Sequence, residues 1–182
     1  MERYFIIPEI YIWLFGFLFN FVLEISHMPY YQGYFNVYNR DRNVEKKYWF
    51  GENTFQMRKS FAGVFWFASA SDAFLVLGHY WVVSLIFMDR FWFVDGGTLF
   101  GLGETALPVQ AGYLVALLLG IFWQVVIELI GRAKNWWGYS PEMPMLGKKF
   151  ALLPNIQMII PIILSLLLTR YVILGLRAAS QI

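Results

Sequence analysis

The sequence predicts an all-α protein: a polytopic transmembrane four-helix bundle with both termini on the non-cytoplasmic side. Three observations carry this. Of 182 residues, 59% are hydrophobic and only 14% charged, against roughly 25% charged in soluble domains. The apolar residues gather into four segments, each near the roughly 20 residues that cross a bilayer. Basic residues are shared unequally between the two sides that those segments define.

The spans are expected at about 4–26, 61–88, 112–131 and 155–174. Together they make one integral membrane domain, residues 1–182, with no internal repeat. The first is longer than a signal-peptide core, carries Glu24 and lacks a small-residue cleavage site, so it is read as retained. The second is long enough to tilt. Between them, residues 27–60 hold Arg40, Arg42, Lys46, Lys47, Arg58 and Lys59 among many aromatics, including Tyr30, Tyr31, Tyr34, Tyr48 and Trp49. Such a mixture suits the headgroup layer on the cytoplasmic face. Residues 89–111 form an outer connection with Asp95-Gly96-Gly97 and Gly101-Leu102-Gly103. These glycines suit turns or a flap. They make no phosphate loop, because the lysine and the strand-to-helix setting are missing. The connection after span three holds Arg132, Lys134, Lys148 and Lys149. Only Arg3, Arg90 and Arg177 flank the opposite side, with Arg170 inside the last span. Ten basic residues against three sets the predicted orientation.

Composition also excludes functions. Without cysteine there is no disulfide, thiolate ligand or thiol nucleophile. A net charge of +2 with no basic run offers no nucleic-acid surface.

Each predicted helix has one polar stripe at three-, four- or seven-residue spacing. Span one has Asn20, Glu24 and His27. Span two has Ser69, Asp72 and His79. Span three has Gln124, Glu128 and Arg132. Span four has Pro154, Gln157, Pro161 and Ser165. Lipid cannot satisfy these groups, so the stripes should face one another. Counting 1.5 Å per residue from the expected span ends puts Glu24, Glu128 and Gln157 roughly 5 Å in. Gln124 and Asn20 fall one turn deeper, and Asp72 roughly 15–18 Å in, near the midplane. This predicts a cavity open to the cytoplasmic side with Asp72 as its floor.

Catalytic candidates are therefore Asp72, Glu24 and Glu128. Ligand-binding candidates are Asn20, His27, Gln124, Gln157, Trp137 and Tyr139. Each also has a plainer reading. Asp72 near the midplane must be protonated or paired, and an interhelical hydrogen bond to Asn20 or Gln124 would serve. Glu128 has Arg132 one turn away for a helix-end ion pair. Trp137 and Tyr139 stand where interfacial anchors are common. His27 could cap its helix before Met28-Pro29, and His79 could be a hydrogen-bonded packing residue.

Glu24 and His27 match Glu-x-x-His, but a di-metal carboxylate bundle needs two such motifs and two more glutamates. No metal is therefore expected, with Glu24 and His27 as the weak candidates. Haem between His27 and His79 fails because their depths differ by roughly 25 Å. The sequence names no cofactor. Pro161 should kink the last span near Gln157.

The stretch Glu128, Trp137-Gly138-Tyr139, Met143-Pro144, Leu152-Leu153-Pro154, Gln157 and Pro161 resembles a group of uncharacterised bacterial multi-pass membrane proteins. Leu23-Glu24, Met28-Pro29-Tyr30 and Ser71-Asp72 look similar too, although that group more often has glycine before the aspartate. The resemblance implies a four-span fold in a bacterial inner membrane and assigns no activity.

The function expected from these residues is binding of a lipid- or isoprenoid-like ligand in the polar cavity, with acid/base chemistry available to act on it. The partners are then membrane lipid and either another membrane protein or a second copy. Two alternatives stand beside it. One is an accessory subunit of a larger respiratory or photosynthetic membrane complex, suited by 20% aromatic residues. The other, ranked last, is a proton-coupled carrier, because no broken-helix repeat is present.

Overall fold

The computed structural model describes residues 7–27, 31–32, 54–94, 106–134, 138–139, 143–146 and 150–180. Four helices dominate: α1 Pro8–His27, α2 Thr54–Phe87, α3 Ala106–Ala133 and α4 Leu152–Ala179. All four are long and apolar enough to cross a membrane, over Pro8–His27, Trp66–Phe87, Gln110–Gly131 and Pro154–Ala179. The fold is helical and integral to a membrane, as the composition predicts.

The helices are longer than the apolar runs suggest. α2 has 34 residues, about 51 Å of helix against a hydrocarbon core of about 30 Å. Its first turns carry Arg58 and Lys59 in the sequence, ahead of the apolar run. Proline sits where helices start. Pro8 opens α1, Pro108 lies in the first turn of α3 and Pro154 in that of α4, positions whose N–H would have no helical partner anyway.

α1 packs chiefly on α2 and α4, and α3 on α4 and α2, so α1 and α3 stand diagonally across the bundle. α1 and α2 come close where α1 has no side chain. A Cβ on Gly16 would lie 3.5 Å from the Ala73 Cα and from the Val76 side chain. Residues Ile12, Gly16, Asn20, Glu24 and His27 form the buried stripe of α1. Outward-facing residues are mostly large and apolar, among them Leu14, Leu18, Phe74, Trp81 and Phe122, as lipid contact requires.

Two short antiparallel ladders, absent from the sequence-based expectation, lie at one end. β1 (Tyr31–Gln32) pairs with β2 (Gly138–Tyr139), opposing Tyr31 to Tyr139. β3 (Met145–Leu146) pairs with β4 (Phe150–Ala151). A period-2 signal needs more than two residues to register, so no sequence pattern marks them. They tie the segment after α1 to the segment after α3, and lead the chain into α4. This is the strand end of the bundle.

The opposite, turn end is closed by the chain itself. Met88 stands in the left-handed region at φ 53°. The Asp89 N–H reaches the Ser84 carbonyl and the Met88 N–H reaches that of Leu85, which is the Schellman stop. The Asp89 carboxylate then accepts the Phe91 N–H at 2.7 Å, and the chain folds back. Trp92, Phe93 and Val94 become buried in the core with Tyr80, Val83, Tyr113 and Ile173. Trp92 lies edge-on to Tyr113 and fills the place of a Gly112 side chain, whose Cβ would come 2.3 Å from the indole. Arg90 donates to both Glu9 oxygens at 2.8 and 3.0 Å, and its carbonyl accepts the Tyr80 hydroxyl. Arg177 of α4 lies over the Phe91 ring.

Candidate functional site

Helical spacing and a single amide create the site. Glu24 and His27 are three apart on α1, so both point to the same neighbour. That neighbour is Gln157, in the second turn of α4. Its Nε2 donates to Glu24 Oε1 at 2.8 Å and, more loosely, to Asp72 Oδ2 at 3.4 Å. Its Oε1 lies 3.0 Å from His27 Nδ1. The two carboxylate contacts fix the amide orientation, because ionised carboxylates only accept. Gln157 Oε1 must therefore accept, and His27 Nδ1 carries the proton of that bond. One amide thus joins α1, α2 and α4, and brings two carboxyl groups within about 6 Å of each other.

This geometry corrects two expectations. Asp72 is not alone at a deep floor, and neither Asn20 nor Gln124 is the partner that binds it. It shares the level of Glu24 and Gln157. The depth count failed because it measured each helix from its own apolar boundary, whereas the amide of Gln157, shared by both carboxyl groups, sets Asp72 level with Glu24. His27 is also no surface cap. It is 5% exposed and held by Gln157. Glu24, His27 and Gln157 are buried, and Asp72 is the least buried residue of the four.

Glu128 stands in a second set of contacts. It is 1% exposed and accepts the Ala151 N–H at 3.1 Å and the Asn155 amide at 3.4 Å. Ala151 is the N-cap of α4 and has no side-chain cap of its own. A carboxylate from α3 therefore satisfies the start of α4 and complements its dipole. The Arg132 side chain, proposed partner of Glu128 from sequence, lies outside the described residues. Asn155 was missed; an asparagine one turn into an apolar helix was the available signal.

Gln124 is buried on α3, one turn from Glu128, and no hydrogen bond among the described residues joins it to Gln157. Tyr139 is half-buried and held through its backbone by Tyr31. Trp137 lies outside the described residues, as do the outer glycines 96, 97, 101 and 103. His79 is buried near the backbone of Leu75 and Leu119, with neither ring nitrogen closing a well-formed hydrogen bond. It serves packing between α2 and α3. Among the described residues, no three His, Asp or Glu side chains converge on one metal position.

Two further features surround the cluster. Asn20 donates from Nδ2 to the Gly16 carbonyl at 2.9 Å, while its Oδ1 is buried with no partner. Pro161 lies inside α4 and has no N–H to offer the Gln157 carbonyl one turn earlier.

No protein-family model, no curated protein and no solved structure matches this chain.

Proposed function

We propose that the protein binds a membrane amphiphile of lipid- or isoprenoid-like chemistry, with its polar end at Asp72, Glu24, Gln157 and His27. The observation that carries this reading is the polar cluster held inside the bundle, two carboxyl groups and an imidazole on one amide, with Asp72 its least buried residue. Carboxyl groups within the span of a membrane helix are costly and commonly mark function. A ligand with an apolar body and a hydrogen-bonding head suits both the apolar surroundings and the polar cluster.

The positive-inside bias supports access from the cytoplasmic side and both termini outside. The likeness to bacterial multi-pass proteins supports a bacterial inner membrane. Two carboxyl groups bridged by one amide, with an imidazole on the same amide, also supply what acid/base chemistry needs: groups that take and return a proton at fixed positions. Asp72 is the group that meets the ligand, with Glu24 beside it. Glu128 and Gln124 support α3 and α4.

The test is purification of the chain alone, followed by mass spectrometry of what it retains. A stoichiometric amphiphile in the wild type, lost in Asp72→Asn, is the expected result. Equal retention in both proteins, or none in either, refutes the binding site. If cellular activity survives Asp72→Asn, Glu24→Gln and Glu128→Gln together, the acid/base role is also gone.

A second reading is an accessory subunit of a larger membrane complex. It is favoured by Phe67, Phe74 and Trp81, which recur every seven residues on α2 and all face outward. Such a stripe suits a partner helix. A chain that is monodisperse and stable by itself argues against this reading.

A further inference from the structure

A second polar locus lies between α1 and α2, beside the Gln157 cluster. The register of the two helices places it. Gly16 packs between Ala73 and Val76. The helices run antiparallel, so one turn further along α1 and one turn back along α2 sets Asn20 opposite Ser69 and Asp72. Asn20 and Ser69 are both 0% exposed. Asn20 Oδ1 and Ser69 Oγ have no hydrogen-bond partner. Asn20 cannot be turned to help, because its Nδ2 is committed to the Gly16 carbonyl.

By this register an unpartnered amide oxygen and an unpartnered hydroxyl stand on the helix faces beside Asp72. On the α4 side, Gln157 bonds to Asp72 through its side chain, and its main-chain carbonyl lacks the helix bond that Pro161 cannot give. The groups this register brings to one level all offer oxygen: one carboxylate, one amide carbonyl, one hydroxyl and one main-chain carbonyl. Buried oxygens left unpaired are destabilising. The hydroxyl can donate to one oxygen only, so the remaining acceptors call for a positive centre between them.

We propose that Asn20, Ser69, Asp72 and the Gln157 carbonyl bind a Na⁺-sized monovalent cation. Hard oxygen donors select hard cations over transition metals. A single carboxylate among neutral oxygens matches one positive charge. A carbonyl freed within a membrane helix is a recurrent Na⁺ ligand. The site does not rest on the amphiphile reading, and either can fail without the other.

The test uses the purified full-length protein in detergent. Melting temperature is measured in NaCl and in choline chloride at equal ionic strength, together with equilibrium binding of ²²Na⁺. The expected result is one Na⁺ per chain and a saturable rise in melting temperature of roughly 5 °C or more. Ser69→Ala, which removes one oxygen and little volume, should weaken Na⁺ binding about tenfold. Asp72→Asn should abolish it. Identical melting in Na⁺ and choline, as expected if only water or a carboxyl proton fills the locus, overturns the proposal. So does binding that Ser69→Ala leaves unchanged. Wild type and Ser69→Ala decide the matter even if Asp72→Asn does not fold.

Discussion

The two ends of the bundle join their helices by opposite means. At the strand end, α1, α2 and α4 meet through one amide that serves two carboxylates and an imidazole. At the turn end, α2, α3 and α4 meet through rings: Trp92, Phe93, Tyr80 and Tyr113, with Phe91 under Arg177. The polar junction is cooperative, because three side chains share one amide and its loss is felt by all of them. The aromatic junction adds up many weak contacts and loses them piecemeal. A ligand site belongs at the first kind of end, where precise polar geometry is already held.

The sharpest way to break this contrast is Gln157→Leu. It removes the amide shared by Glu24, Asp72 and His27 and should cost roughly 3–5 kcal/mol, the scale of an opened buried charge network. Thermal unfolding in detergent reads the loss, and amphiphile retention should vanish with it.

Trp92→Ala should cost about as much, roughly 3–5 kcal/mol from lost packing, yet leave the retained ligand unchanged. Gly112→Ala should cost about 1–3 kcal/mol by crowding the indole. The double variant should be less destabilised than the sum of the two, because removing the indole removes the crowding. Additive losses would show that Trp92 and Gly112 do not share the space between them.

Arg90→Ala tests whether charge contributes at the turn end. The Arg90 side chain is 61% exposed, so its pair with Glu9 should contribute only about 0.2–1 kcal/mol and fade in high salt. A larger, salt-insensitive loss would mean the turn end relies on ion pairing after all.

The smallest effect should be a gain. Met88 holds a left-handed conformation while 88% exposed. Met88→Gly relieves roughly 1–2 kcal/mol of strain and gives back part of it as chain entropy. A net stabilisation of about 0.5 kcal/mol should appear as a slightly higher melting temperature.

Much of the fold was legible because its signals are long. Four apolar runs and four polar stripes announced four helices and their inward faces, and Glu24, His27, Asp72 and Gln157 were all drawn from those stripes. Their contacts were not legible. Asp72 was placed too deep because the end of an apolar run does not say how α2 is set against its neighbours, and only the shared Gln157 amide shows it level with Glu24. The closure of the turn end was missed for a related reason. Phe91, Trp92 and Phe93 follow a helix stop and look like an interfacial belt until the Schellman turn folds them inward. The two-residue strands have no periodicity to read at all.

Glu128 has a consequence for how the molecule comes together. The N-terminus of α4 is completed by a side chain of α3, so the fourth helix cannot finish its own first turn until the third is in place beside it. The two form a hairpin that matures as a unit, aligned by Glu128 together with the bond from the Leu152 N–H to the Pro144 carbonyl. The register of α4, and with it the height of Gln157, is set across the gap by a carboxylate as well as along the connecting segment.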